Sequence, residues 1–215
     1  YASPELQNDR EIVLAAVNQF GTALQFASQE LQNDREIVLA AVNNIGLALR
    51  YASLELKRDR EIVIAAVKKN GYALEFASPE LQNNREIVLA AVNNGRRGLE
   101  YASLELQNDR EIVLAAVTQN GIYLQFASPE LRNDREIVLA AVNRNNAALQ
   151  FASIDIISEI LNKNGIYLKF LPEELKNNNL VSIAIQQNGM ALQFASHELQ
   201  NDREIVLAAV ANDGT

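Results

Sequence analysis

The sequence predicts an all-α protein, an α-solenoid of nine short repeats. Each repeat is one α-helix plus a shorter α- or 3-10 helix, and the stack forms a superhelical rod or arc. Three observations predict it. The string Tyr-Ala-Ser or Phe-Ala-Ser begins at Tyr1, Phe26, Tyr51, Phe76, Tyr101, Phe126 and Phe151, always 25 residues apart, and a fixed period is the mark of a repeat architecture. Each period carries one cap signal followed by one apolar run, Ile12-Val13-Leu14-Ala15-Ala16-Val17 in the first, which is apolar all round like a helix packed on more than one side. A unit this small cannot close its own core, so it must stack on its neighbours.

The elements follow in chain order. Ser3-Pro4-Glu5 reads as a start signal, with Ser as cap and Pro at the first helical position, and forms about one turn, α or 3-10. Asn8 or Asp9 caps the main helix, and Glu11 completes a capping-box pattern with Asn8. The rival reading of Glu11 to Val17 as a strand rests on Ile and Val, but Ala-Ala between caps favours helix. Gly21 fits the left-handed residue that ends a helix, and Asn146 takes that place in repeat 6 as the next-best left-handed residue. Thr22 to Ala27 forms the second, shorter helix. The Tyr/Phe column is expected in the core.

The organisation is six regular repeats over 1–150, two irregular shortened ones over 151–193 and a truncated regular one over 194–215, in one continuous solenoid. In the first six, Tyr and Phe alternate, as duplication of a two-repeat unit would leave them. Residues equivalent to Pro4 through Asp9 are missing from repeat 7, so its two helices are expected to run together, with a kink or weaker stacking nearby. The chain begins at Tyr1 rather than Met, as a piece of a longer protein would.

The strings Ala23-Leu24-Gln25-Phe26-Ala27-Ser28 and Leu31-Gln32-Asn33-Asp34-Arg35-Glu36-Ile37-Val38-Leu39-Ala40-Ala41-Val42 resemble the repeat called domain of unknown function 4116. The resemblance covers nearly the whole chain. It implies a domain about two repeats long, of a kind found in proteins of protists, giant viruses and amoeba-associated intracellular bacteria, some resembling secreted effectors. The compartment that this resemblance implies is a cytoplasm, or a host cytosol into which the chain is delivered. It supplies no catalytic residue set. Analogy to variant leucine-rich repeats, which alternate α- and 3-10 helices, points to the same architecture.

Composition narrows the function. The chain has no Cys and one His, His197, which reads as a solvated loop residue; thiolate metal sites and most His-centred chemistry lack their residues. With 19 Lys+Arg against 27 Asp+Glu, the net charge is −8, which argues against nucleic acid as a partner. No apolar run is long enough to span a bilayer. No phosphate-binding Gly-rich loop, zinc-protease motif or nucleophile elbow is present. The expectation is therefore a non-enzymatic chain with no cofactor and no metal site.

The repeated columns read as structure. Arg10, Arg35, Arg60, Arg85, Arg110, Arg135 and Arg203 stand beside Asp9, Asp34, Asp59, Asp109, Asp134 and Asp202 and should form a charge ladder between repeats. The Asn8-type column should satisfy turn backbone. Function is then sought in the deviations, chiefly at residues 18–20, 22 and 25 of the first repeat and their equivalents. Charges per repeat run −2, −1, +1, 0, −2, 0, 0, −1 and −3, and only repeat 3 is positive. The candidate partner-binding residues are Lys57, Arg58, Lys68, Lys69, Tyr72, Arg96, Arg97, Tyr123 and Arg144. They fit an acidic protein or peptide. The expected role is a scaffold for protein–protein interaction; the alternative is a structural spacer, associating end to end.

Overall fold

The computed structural model describes residues 3–95 and 97–212. They fall into two compact bodies, Tyr1–Ala116 and Val117–Thr215. Both are stacks of the same helical repeat, and no strand occurs among the described residues.

In the first body the main α-helices are Arg10–Gln19, Arg35–Asn44, Arg60–Lys69 and Arg85–Asn93. A further one covers Arg110–Gln119, and the second body contains Arg135–Arg144, Ile154–Lys163, Asn178–Gln187 and Arg203–Asn212. Asp9 rather than Asn8 is the cap, and its carboxylate accepts the Glu11 and Ile12 amides at 3.0 and 3.1 Å. Asp34 and Asp59 repeat this. The side chains of Glu36, Glu61, Glu86 and Glu111 pair with the Arg of the preceding repeat rather than closing a capping box.

The second element is a six-residue 3-10 helix, for example Gly21–Phe26, Gly46–Tyr51 and Gly71–Phe76. Where Asn precedes it, as at Asn70, Asn120 and Asn188, the side chain caps it. The third element is either one α turn, as at Pro4–Gln7, Pro79–Gln82 and His197–Gln200, or a 3-10 turn such as Leu31–Asn33 and Leu56–Arg58. Gln32 ties this turn to the preceding 3-10 helix, donating to the Leu24 and Ala27 carbonyls at 3.2 and 3.1 Å.

Each interior helix is buried on two sides. The helix at 35–44 packs between those at 10–19 and 60–69, and the 3-10 helices form a second stack beside them. Ile62, Val63, Val67 and Leu74 are completely buried, each contributing on the order of 2 kcal/mol by leaving water. The Tyr/Phe column is not in this core. Tyr51, Phe76, Tyr101 and Phe151 are half-buried, and Phe26 is 49% exposed. Eight or so apolar side chains per repeat fill the interior without a bulky ring, so the ring lies along its edge.

The glycines correct the expectation of a left-handed cap. No described residue has a positive φ. A Cβ on Gly21 would collide with the Ala41 carbonyl oxygen and lie 3.1 Å from the Ile45 amide nitrogen. Gly46 meets Ala66 in the same way. Glycine is needed because the next helix approaches its Cα, not because of its backbone conformation. Asn146 is likewise not left-handed; it opens the 3-10 helix Asn146–Phe151 and is half-buried.

Repeats 4 and 7 depart from the pattern. The helix of repeat 4 ends at Asn93, and Gly95 lies back against Gly71 of repeat 3, where a Cβ would be 2.8 Å from Gly71 Cα. In repeat 7 the helices do not merge. Ala152 and Ser153 are extended, and Ser153 caps Ile154–Lys163 by accepting the Ile156 amide at 3.3 Å. Only the third element is lost. His197 is not in a loop but is the exposed first residue of the short helix His197–Gln200.

Candidate functional site

The contact between consecutive repeats, here called a joint, is built from four recurring bonds. The Ser amide donates to a backbone carbonyl of the preceding repeat, Ser28 to Gln7 at 2.9 Å and Ser53 to Gln32 at 3.0 Å. The Ser hydroxyl donates to the preceding Asn, Ser28 to Asn8 and Ser53 to Asn33. That Asn also donates to a Glu, Asn33 to Glu55 at 3.4 Å and Asn83 to Glu105 at 3.1 Å. The Arg column pairs forward: Arg35 reaches Asp59 at 3.1 Å and also Glu61, and Arg85 reaches Asp109 at 2.9 Å and also Glu111. The charge ladder is thus present; in the Asn column Asn8, Asn33 and Asn83 bridge side chains of adjacent repeats, whereas Asn201 donates to the His197 carbonyl of its own turn at 2.8 Å.

Partial burial pushes the Asp34 and Asp59 carboxyls up. The Ile37 and Ile62 amides, followed by Arg10 and Arg35, outweigh it and hold both carboxylates below their usual range. At Asp109 burial is opposed chiefly by Arg85, then by the Ile112 amide, with the same result. These carboxylates are occupied. No cluster of three or more His, Cys, Asp or Glu able to hold a metal exists among the described residues.

Against this frame the candidate residues separate. Lys57 and Arg58 lie on the 3-10 turn Leu56–Arg58, just before the helix Arg60–Lys69, and Lys68 and Lys69 lie at its end. Ten residues place the two pairs about 15 Å apart, so repeat 3 presents two basic positions rather than one patch. Lys68 and Lys69 are exposed and suit the negative end of the helix dipole. Tyr72 and Arg97 come together, the guanidinium 5.8 Å from the ring centre, and Arg97 also pairs with Glu100 at 3.2 Å. The Tyr101 hydroxyl, then Glu100, raise the Arg97 pKa. Arg97 is therefore engaged within the fold. Arg96 lies outside the described residues.

Tyr123 and Arg144 belong to the second body. Tyr123 is half-buried with its ring 6.4 Å from Phe126, and Arg144 donates to the Gln119 carbonyl at 3.1 Å. The variable columns are also less free than expected: Asn44 accepts the Gly21 amide and donates to the Asn18 carbonyl, both at 2.9 Å.

One feature escaped the sequence. Arg58 stands where other repeats carry the acceptor Asn, and Arg has no acceptor. The buried Ser78 hydroxyl of repeat 4, whose counterparts bond that Asn, makes no hydrogen bond. Lys57 stands in the Gln column, and its ammonium forms no ion pair among the described residues. The two substitutions were legible as deviations; the orphaned hydroxyl they face was not.

A stack of near-identical two-helix units, joined by bonds that recur from one repeat to the next, defines a helical-repeat protein of the α-solenoid class. The family model described as Domain of unknown function (DUF4116) matches residues 1–32, 9–57, 34–82, 59–107, 84–132, 109–156 and 179–215. The chain belongs to that family. Most of these matches span about two repeats and start 25 residues after the last, and the stretch they leave out, 157–178, is the irregular one. No curated protein and no solved structure matches the chain.

Proposed function

We propose that the chain is a non-catalytic repeat scaffold that binds a protein partner through the deviating residues of repeats 3 and 4. The observation that carries this is the contrast in charge pairing. Arg10, Arg35, Arg60, Arg85 and Arg135 are each ion-paired to the next repeat. Lys57, Arg58, Lys68 and Lys69 have no ion pair among the described residues, on a chain of net charge −8. Unpaired cations on an acidic scaffold steer an acidic partner. Among the described residues no helix is long and apolar enough to cross a membrane. The test is affinity capture from cells of the source organism with wild type and Lys68→Glu/Lys69→Glu. The proposal predicts a partner lost from the variant, and equal recovery on both refutes a role for these lysines.

A second reading, a self-associating spacer, has its own observation. Leu6, Ile12 and Phe26 are 44%, 44% and 49% exposed around an apolar groove of about 400 Å³, whereas Leu31 and Ile37, the counterparts of the first two, are 6% and 0% exposed. Another repeat of the same kind would cover that face. Light scattering across protein concentration checks this, and a monomer at the highest concentration refutes it.

A further inference from the structure

The joint between repeats 3 and 4 differs from its neighbours in several ways at once. It keeps the backbone bond, Ser78 amide to Lys57 carbonyl at 3.0 Å. It lacks the Ser–Asn bond that Ser28, Ser53, Ser103 and Ser153 make, because Arg58 replaces Asn. Ser78 is 8% exposed and its hydroxyl is left without a hydrogen-bond partner. The joint keeps the Gln82 clamp, to the Leu74 and Glu75 carbonyls at 3.1 and 3.4 Å, but Lys57 stands in the Gln column of the turn before it and makes no such clamp. A pocket of about 270 Å³ opens at this place, lined by Lys57, Arg58, Ser78 and Phe76 together with Leu54. Leu54 is 81% exposed, a large apolar side chain held in water.

The electrostatics point one way. Arg50 sits over the Phe76 ring at 5.9 Å and adds a third cation beside Lys57. Burial, then Arg50, push the Lys57 ammonium below its usual range, the condition that a bound anion would relieve. Glu80 is the carboxylate that feels Arg58. It is held low first by its own backbone amide and then by the nearby Ser78 hydroxyl, yet forms neither an ion pair with Arg58 nor a hydrogen bond of normal geometry with Ser78.

We infer that this joint is a docking site for an acidic protein segment. A carboxylate of the segment takes Lys57, Arg58 and the Ser78 hydroxyl, while a neighbouring apolar side chain lies on Leu54 and Phe76. A buried polar group without a partner is costly, so a ligand supplying the acceptor gains what the other joints obtain from Asn. An extended segment with Asp or Glu next to Leu, Ile or Phe has the required spacing of charge and apolar surface. The inference rests on the interaction reading above and names the partner's chemistry.

The test uses the full chain and Lys57→Gln/Arg58→Asn, which restores the residues of the neighbouring joints and should fold at least as well; a melting temperature at or above wild type confirms this. Both are used to select from a random peptide display library. The expected result is a consensus of carboxylate beside apolar residue on wild type, with binding of the synthesised peptide about tenfold or more weaker on the variant. Equal enrichment on both baits overturns this site but leaves a scaffold that binds elsewhere. No enrichment on wild type, or a consensus without a carboxylate, also overturns it. Displacement of the peptide by inorganic phosphate as efficiently as by free peptide assigns the site to oxoanions and overturns the peptide assignment.

Discussion

Replacing Gly46 by Ala isolates the geometry that sets the spacing of the repeats. The added methyl would meet the Ala66 carbonyl oxygen well inside 3.0 Å and the Asn70 amide nitrogen at 3.1 Å. Neither neighbour is a flexible side chain; both are backbone atoms of the next helix. To relieve the overlap, the joint between repeats 2 and 3 must open by about 1 Å, which thins the dispersion contacts on both sides of it. Overpacking of this kind costs about 1–3 kcal/mol. For a chain of this length that is a fall in melting temperature of about 2–12 °C. Thermal unfolding followed by circular dichroism measures it. Gly46→Asn supplies the control. A left-handed residue would tolerate Asn better than Ala, whereas a close approach makes the larger Asn no better. A melting temperature unchanged in Gly46→Ala, or higher in Gly46→Asn than in Gly46→Ala, would refute the close-approach argument.

Other consequences are as direct. Asn84→Asp should raise stability by about 0.5–1 kcal/mol in urea unfolding, because Arg60 now pairs only with Glu86 and Asn84 accepts only the Ile87 amide. The carboxyls of Asp34, Asp59 and Asp109 are lowered in the fold. Their contribution is therefore present above the unfolded carboxylate pKa and lost as pH falls through the lower folded values. The urea midpoint of wild type should drop between about pH 5 and pH 3 more steeply than that of Asp34→Asn/Asp59→Asn/Asp109→Asn. Amide hydrogens over 151–185 should exchange faster than those over 76–125, since repeat 7 lacks its third element and Ser158 and Ser182 replace an apolar Leu in half-buried places. Equal protection contradicts that.

Much of the fold is readable in the sequence because the period aligns like residues in columns. The helix from Arg10, its Asp cap and the Arg–Asp ladder follow from local chemistry repeated at a fixed spacing. The glycine is different. A left-handed turn and a close backbone approach both select Gly, so Gly21 alone does not distinguish them. The distinction lies in the Ala41 carbonyl, which only the stacked neighbour brings near. The Tyr/Phe column misleads for a similar reason: aromatic residues are good core formers, but the interior is already filled by Ile37, Val38, Val42 and Leu49. At the candidate site, Lys57 and Arg58 stand out as charges. That Arg58 removes the acceptor from Ser78 depends on which residues of repeat 3 face repeat 4, and periodicity does not give that register.

The central claim is that no repeat is stable alone and that each joint adds stability to the one before it. Urea unfolding of chains covering 1–50, 1–75 and 1–100, two, three and four repeats of the first body, tests it most directly. The midpoint should rise with every added repeat. A two-repeat chain as stable as the four-repeat chain would contradict the account.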